Sequence, residues 1–391
     1  MAIRKNKGKI LSEIIPSLSF KGDKREREIE KRIRRENRFE NETKSQFWYY
    51  MLKELTLHRT LFQSIEKKQF AEDVRTMYKW YIHPSLNTLS EIRDKFNFRE
   101  SFLEILKVTK EFDSPTNLPN HSVYLQIKFS LRKPFISKDD DEFYIIDNPI
   151  VKDKVFKLPM VRSTTWKGAL RFAAVKVFEE EFDKSDWKEK RALLIRLFGN
   201  EKEVQEKYLD RFVANKTKNA LENVRAEFET YLKGKKYISE DVPSRAGRLF
   251  FYPTFFDEIS IDVITPLSRE TKTPVRGRAP IYFETVREGT EGIFRLLYYP
   301  FDLIARGEFD KIEDEMKEDL DFLSKALQKM FYEIGFSAKK SSGFGVISEF
   351  DGEITIPFKN IKNLKFNSFN ELNFSKLYTK VNKGINSGAS E

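Results

Sequence analysis

The pattern of apolar and polar positions changes once along the chain, near residue 120. Before that point, charges of alternating sign recur at helical spacing, and apolar residues such as Ile92, Phe96 and Leu106 fit an amphipathic helix. Residues 1–115 are therefore predicted to form a basic helical extension. The segment 113–121 holds two prolines and several turn-forming residues, so we place a domain boundary there.

Beyond the boundary, apolar residues alternate with polar ones over 122–131, which predicts a half-buried strand. The segment that begins STTWKGALR instead shows helical spacing, and Ser163 or Thr164 is able to cap that helix. A charged helical stretch, residues 186–246, is predicted to be an insertion.

Strand patterns return after Gly247 and are followed by a helix over 313–335 and a glycine-containing loop that leads into a last strand. The order strand, helix, strands, helix, strand is that of a ferredoxin-like domain, so the predicted fold class is α+β. This domain is expected to span 122–352, with a C-terminal extension and tail over 353–391.

Composition excludes several classes of chemistry. The chain has no cysteine and only three histidines, which excludes disulfides, thiol nucleophiles and cysteine-ligated zinc. No uncharged apolar run approaches the ~20 residues that span a bilayer, and the first residues lack an apolar signal core. We therefore expect a cytoplasmic protein without a membrane partner.

The net charge of +10 and the isoelectric point of about 9.2 indicate a polyanionic partner, with nucleic acid as the first candidate. A lysine-rich, solvated surface explains the same charge equally well. Charge alone leaves the two open.

Two segments have the chemistry of phosphate sites. At the helix start, Ser163 and Thr164 precede Lys167, Gly168 and Arg171, and helix-start amides favour anions. An ordinary capped helix with two surface cations is the alternative. In the glycine loop, Lys339 and Lys340 precede Gly343 and Phe344, where exposed amides and lysines would bind phosphates; a flexible loop is the alternative.

Three segments carry a family resemblance. They are IIDNPIVKDKVFKLPMVRSTTWKGALR (145–171), RLFGN (196–200) followed by GRLFF (247–251), and GFSAKKSSGFGVI (335–347). Together they resemble the RAMP superfamily of CRISPR-associated proteins, in particular the guide-RNA-binding backbone subunit of type III effector complexes. The resemblance covers residues 122–352 and implies a modified ferredoxin-like (RNA-recognition-like) RAMP domain.

The resemblance implies partners and site residues. The partners would be a CRISPR guide RNA, a target RNA and other RAMP subunits. A basic loop, residues 265–280, would project like a thumb. The RNA-binding residues would be Lys138, Arg162, Ser163, Thr164, Lys167, Gly168, Arg171, Arg276, Arg278, Lys339, Lys340, Gly343 and Phe344.

The resemblance also implies possible chemistry at Asp147, where target-cleaving members of the family place an aspartate. Such a carboxylate would activate the RNA 2′-hydroxyl or help to hold a divalent cation such as Mg. The alternative is a turn, which Asp-Asn-Pro favours by itself. The acidic run 139–142 fits a solvated loop better than a metal site.

Other functions stay open at this point. One is a non-catalytic end or cap subunit of the same complex. Another is a guide-precursor endoribonuclease, for which His121 is the histidine nearest the predicted core. A third is a free-standing RNA-binding protein.

Overall fold

The computed structural model describes residues 117–139, 148–154, 158–200, 203–256, 259–264 and 281–372. These residues fall into two compact units. The described part of the larger unit is 117–137, 152–154, 158–200, 203–256 and 286–372, and that of the smaller is 138–139, 148–151, 259–264 and 281–285. The predicted helical extension, residues 1–115, lies outside the described residues.

The described strands are β1 (Val123–Leu131), β2 (Met160–Val161), β3 (Leu249–Phe251), β4 (Thr254–Phe255), β5 (Ser260–Ile264), β6 (Ile281–Thr285), β7 (Glu291–Tyr298), β8 (Ile347–Ile356) and β9 (Ile361–Phe366). Five of them form the main sheet of the larger unit in the order β3-β7-β1-β8-β9. All neighbouring strands in this sheet are antiparallel. The alternating pattern that predicted β1 therefore marks the central strand of the sheet.

The described α-helices are α1 (Ser163–Glu180), α2 (Trp187–Phe198), α3 (Glu203–Thr217), α4 (Leu221–Gly234), α5 (Phe301–Ala305) and α6 (Ile312–Lys329). A π-helical turn, Met330–Ile334, continues α6. Helix α1 lies in the chain between β1 and β3, and α6 lies between β7 and β8. The main sheet and these two helices agree with the predicted α+β mixture of helices and strands.

Aromatic residues fill the space between the sheet and helices α1 and α6. The buried Trp166 ring of α1 lies 4.8 Å from the ring of Phe294 on β7, in an edge-on arrangement. Its indole nitrogen donates a hydrogen bond to the hydroxyl of Thr254 at 3.1 Å. Edge-on pairs of buried rings stabilise beyond their burial alone, and the indole donor is satisfied. These contacts hold the first turn of α1 against the sheet.

The sheet continues beyond residue 352, where the sequence pattern places the end of the domain. Strand β8 runs on to Ile356, and β9 adds a fifth strand. Phe369, just after β9, stacks on Phe331 with 5.6 Å between ring centroids. Residues up to 372 therefore contribute to the same apolar core.

In the smaller unit, β5 and β6 form a hairpin from the pair Ser260 and Thr285 to the pair Ile264 and Ile281. The sequence pattern suggested that β6 resumes the main sheet, and this was wrong: β6 pairs only with β5 among the described strands. The pairing holds the two ends of the basic loop 265–280 side by side, while the loop itself lies outside the described residues.

The predicted insertion is helical and contributes to the core. Helices α2, α3 and α4 occupy 187–234. Buried Arg191 of α2 forms an ion pair with Asp210 of α3 at 2.6 Å, and Arg225 of α4 contacts the same carboxylate at 2.7 Å. This shared carboxylate ties the three helices together.

A buried charge network joins the insertion to the sheet. The Asp319 carboxylate on α6 is fully buried and accepts hydrogen bonds from Arg196 at 2.8 Å, from Arg248 at 2.9 Å and from the Tyr298 hydroxyl at 2.8 Å. Arg248 also binds Asp302 through two nitrogen atoms, each at 2.8 Å. Two arginines that are far apart in sequence thus meet at one carboxylate.

Proton affinities in the network reflect its ion pairs. Burial alone would lower the pKa of Arg248, but the charges of Asp319 and Asp302 outweigh it and raise that pKa above its ordinary value. Burial alone would raise the pKa of Asp302, but Arg248 and Arg245 lower it below the usual range. Both groups are therefore charged in the folded protein at neutral pH.

Asp319→Ala should lower the free energy of unfolding by roughly 3–5 kcal/mol, because it leaves two arginines buried without their shared carboxylate. Glu318→Ala is a matched control, because Glu318 contacts the same Arg196 at 2.9 Å but is 63% exposed. That change should cost about 0–1 kcal/mol. Urea unfolding measures both, and equal losses would contradict a central role for the buried pair.

Candidate nucleic-acid interface

The first turn of α1 has amides that point away from the helix with no side-chain cap. The short pair β2 and β4 leads into this turn. Arg162, in extended conformation, is the capping residue, and its carbonyl accepts the amides of Thr165 at 2.9 Å and Trp166 at 3.0 Å. The expectation that Ser163 or Thr164 caps the helix was wrong, because both lie inside the first turn.

Within the part of the chain that the structure describes, the amides of Ser163 and Thr164 have no acceptor. Free amides at a helix start are the usual donors for bound anions. The start of α1 is therefore chemically able to bind an anionic oxygen.

The charges along α1 run against its own dipole. Its first turn has no acidic residue and its last turn has no basic one. Arg162 and Lys167 flank the start instead, and Glu179 and Glu180 lie at the end. Helix α6 shows the opposite, favourable arrangement, with three acidic residues in its first turn and Lys329 in its last. The start of α1 thus carries charges that suit an external anion rather than the helix itself.

Gly168 leaves open space on this exposed surface. It lies one turn into α1, and a Cβ atom built on it would meet nothing within 4 Å. A glycine inside a helix costs about 0.5–1 kcal/mol relative to alanine, and no packing within the described residues requires it. The space above Gly168 is therefore available to a closely approaching partner.

The Arg171 side chain stabilises the turn that follows α2. Its guanidinium donates to the Gly199 carbonyl at 2.9 Å. Gly199 has a φ of +79°, and a Cβ there would lie 2.5 Å from the Arg245 carbonyl. A Cβ on Gly247 would likewise lie 2.3 Å from the Leu197 carbonyl. The RLFGN and GRLFF segments therefore pack backbone to backbone, and Arg171 holds that junction to α1.

The glycine loop is fixed at both ends. The Phe336 amide donates to the Gly345 carbonyl at 3.1 Å, and the Gly345 amide donates to the Pro134 carbonyl at 3.0 Å. The Ser337 hydroxyl donates to the Ile136 carbonyl and accepts the Ile136 amide, both at 2.8 Å. These bonds leave the tip of the loop, residues 338–344, at the surface.

The loop and the start of α1 lie side by side. The Phe336 ring packs 4.4 Å from Trp166, between ring centroids, directly beneath the helix start. At the surface, the Lys340 ammonium lies 4.9 Å from the centre of the Phe172 ring on α1. Burial lowers the pKa of Lys340. The two segments that the sequence marked separately as phosphate sites are thus neighbours.

The remaining loop residues are at or near the surface. Lys339 is exposed with a φ of +55°, and Gly343 has a φ of +76° with nothing within 4 Å of a built Cβ. Phe344 is half-buried and makes no ring contact with another described aromatic residue. The loop tip therefore offers a lysine pair and an open turn to a partner.

Several predicted residues fall elsewhere. Lys138 is exposed and belongs to the smaller unit, whereas α1 and the glycine loop belong to the larger one. The predicted residues Asp147, Arg276 and Arg278 lie outside the described residues, as does most of the acidic run 139–142. No group of three His, Asp or Glu side chains among the described residues is placed to hold a metal ion.

His121, the histidine considered for precursor cleavage, precedes β1 with a φ of +61°. Its ring centroid lies 5.8 Å from that of Phe309 and 5.2 Å from that of Phe358. This setting is an aromatic contact at the end of the sheet.

Sequence reasoning did not single out Phe172. It is 45% exposed on α1, whereas Trp166, Leu170, Val177 and Phe178 of the same helix are buried. The missed signal was its spacing, because Gly168, Phe172 and Lys176 are each four residues apart and lie on one helix face.

The amino-acid sequence matches the RAMP superfamily over residues 111–348, which is more than half of the chain. The chain belongs to the RAMP superfamily. No curated protein matches it. A chain in the cryo-EM structure of the type III-B Cmr-beta bound to cognate target RNA is among the similar solved structures. It is 14% identical, with 76% of this chain and 78% of that chain covered and a TM-score of 0.35.

Membrane insertion has no candidate helix within the described ranges, since none combines the length and the hydropathy to cross a bilayer.

Gly345→Ala should destabilise the protein more than Gly343→Ala. Both positions need a positive φ, which costs an alanine roughly 1–2 kcal/mol. At Gly345 the new Cβ would also lie 2.4 Å from the Ser337 Cβ, whereas at Gly343 it would meet open space. Thermal unfolding of the two variants tests this order, and a larger loss for Gly343→Ala would show that the loop is held differently.

Proposed function

We propose that this protein is a guide-RNA-binding subunit of a type III CRISPR effector complex. One observation carries the proposal: the uncapped, cationic start of α1 lies beside the lysine-bearing glycine loop, which Trp166 and Phe336 join from below. The RAMP match and the segments at 145–171 and 335–347 support it.

The two elements would hold different phosphates of one strand. Amides of Ser163 and Thr164 would donate hydrogen bonds to a phosphate oxygen, with Lys167 alongside and Gly168 leaving room for the ribose-phosphate chain. Lys340 would hold another phosphate of the strand, because its present partner is an aromatic ring rather than a carboxylate. Arg171 takes a positioning role through its bond to Gly199.

We interpret the order β3-β7-β1-β8, with α1 and α6 as the two connecting helices, as a modified ferredoxin-like domain. Such a domain would hold the sugar-phosphate backbone and leave the reading of sequence to base pairing between guide and target. The basic loop 265–280, whose ends the β5–β6 hairpin brings together, would contact that duplex through Arg276 and Arg278. Other RAMP subunits would flank this one along the guide.

The experiment is to purify the protein, sequence the RNA that accompanies it, and measure its affinity for that RNA. Repeat-derived guide RNA is expected. Lys167→Gln and Lys340→Gln should each weaken binding about tenfold. Each should also reduce the dependence of log affinity on log salt by roughly 0.7, because one phosphate contact is lost on a single strand.

Lys317→Gln is the matched control, since Lys317 is an exposed lysine on α6, away from both segments in the chain. It should leave the salt dependence unchanged. Equal effects of all three changes would show that the protein attracts RNA only through nonspecific charge. Bound RNA without repeat sequence would overturn the CRISPR assignment.

We further propose that Asp147 assists cleavage of the paired target RNA. The carboxylate would take the proton of the 2′-hydroxyl, whose oxygen attacks the adjacent phosphorus. The bond from phosphorus to the 5′-oxygen of the next nucleotide would break, and that oxygen would take up a proton from water. The products would be a 2′,3′-cyclic phosphate and a 5′-hydroxyl. A divalent cation such as Mg, if held near Asp147, would stabilise charge on the phosphate. The position of Asp147 within the IIDNP segment supports this role.

Asp147→Ala should leave guide binding intact and reduce target cleavage at this subunit's site by at least about 100-fold. A target with one 2′-deoxynucleotide at that site should resist cleavage by the unchanged protein. Asp140→Ala, in the neighbouring acidic run, is the control and should cleave normally. Full cleavage at this site by Asp147→Ala would show that Asp147 is not the catalytic residue. Absence of cleavage at this site by the unchanged protein would assign it to the non-catalytic subunits.

A further inference from the structure

We propose that Phe172 is a stacking position for an unpaired base of the bound RNA, next to the phosphate-binding start of α1. The inference rests on the proposed RNA-binding function and adds to it a base contact. The observation behind it is an exposed aromatic ring on the side of α1 that faces away from the sheet.

Phe172 interrupts the amphipathic pattern of α1. The helix buries Trp166, Leu170, Val177 and Phe178 against the sheet, whereas Phe172 is 45% exposed on the opposite side. A single exposed apolar residue is common and by itself indicates nothing. The surroundings of this ring distinguish it.

Two lysines converge on the ring. The Lys340 ammonium lies 4.9 Å from the ring centre, and the Lys176 ammonium lies 5.7 Å from it. Lys176 also binds Glu179 at 2.6 Å, so its charge is already compensated. Lys340 has no carboxylate partner among the described residues. One lysine thus belongs to the helix, and the other comes from the glycine loop.

An RNA phosphate would be a better partner for Lys340 than the ring. An ammonium over a partly exposed ring gains about 0.5–1 kcal/mol, whereas a hydrogen bond to a charged group contributes about 1.5–3 kcal/mol. Phosphate binding would therefore draw Lys340 from the ring and uncover a flat apolar surface. That surface would lie within one helical turn of Gly168, where the backbone of the strand has room to pass.

A base is the occupant that fits this chemistry. Every base has a π-face that stacks on an aromatic ring, and cationic neighbours retain the phosphates on either side of it. An apolar peptide would gain nothing from Lys340, which carries positive charge to this surface. The surface therefore favours a single-stranded nucleic acid over a protein segment.

Phe172→Leu tests the proposal, because it keeps an apolar side chain and removes the ring. It should lower affinity for single-stranded RNA by about fivefold to 100-fold, which corresponds to the loss of one stacked base. The salt dependence of binding should not change, because no phosphate contact is lost. Phe172→Trp should restore or strengthen binding.

A second measurement locates the base. A set of RNA oligonucleotides, each with one abasic position, should contain one that binds the unchanged protein more weakly. For that oligonucleotide, Phe172→Leu should cause no further loss. Phe250→Leu is the matched control, since Phe250 on β3 is also 45% exposed and lies outside both phosphate segments.

The outcomes separate the two proposals. If Lys167→Gln and Lys340→Gln weaken binding but Phe172→Leu does not, the phosphate site stands and the stacking position is wrong. If Phe172→Leu weakens binding equally to every abasic oligonucleotide, the ring only supports the loop and the stacking position is again wrong. If none of these changes affects RNA binding, the proposed function itself fails.

Discussion

The fold depends on one buried carboxylate. Asp319 on α6 receives Arg196 from the helical insertion and Arg248 from the segment before β3, and Tyr298 on β7 completes its hydrogen bonds. A carboxylate in an apolar interior is costly unless its charge is paired and its oxygens are bonded, and here both conditions are met. The ion pairs thereby fix where the insertion meets the sheet, which apolar packing alone would leave less strictly determined.

That junction reaches the candidate site through backbone contacts. Arg196 and Arg248 belong to the RLFGN and GRLFF segments, whose glycines allow two stretches of backbone to touch. Arg171 of α1 donates to the carbonyl of Gly199 in the same junction. The start of α1 is therefore supported from its interior side by a rigid arrangement, while its opposite side keeps free amides, Lys167 and Gly168 at the surface. The segments that resemble the RAMP superfamily therefore have two roles. RLFGN and GRLFF support the candidate site, and the start of α1 and the glycine loop form it.

Much of the architecture could be predicted from the sequence. The period-two pattern located β1, the helical spacing located α1 and α6, and the succession of these elements indicated an α+β domain. The glycine loop could be placed after α6 because its glycines adopt a positive φ that other residues avoid. Pairing partners were harder to predict: the pattern of β6 does not reveal that it pairs with β5 rather than with the main sheet, and the short pattern after residue 352 did not indicate a fifth strand.

Residue types and local spacing by themselves determined the elements, the absence of cysteine chemistry, the excess of positive charge and the two candidate phosphate segments. Only the tertiary structure decided that these two segments are neighbours, that Arg171 is used by a backbone turn, and that the Phe172 ring lies at the surface under Lys340. The physical reason is that spacing along a helix or strand is a local property. Which loop comes to rest beside a helix depends on long-range packing, and here aromatic packing of Trp166 against Phe336 brings them together.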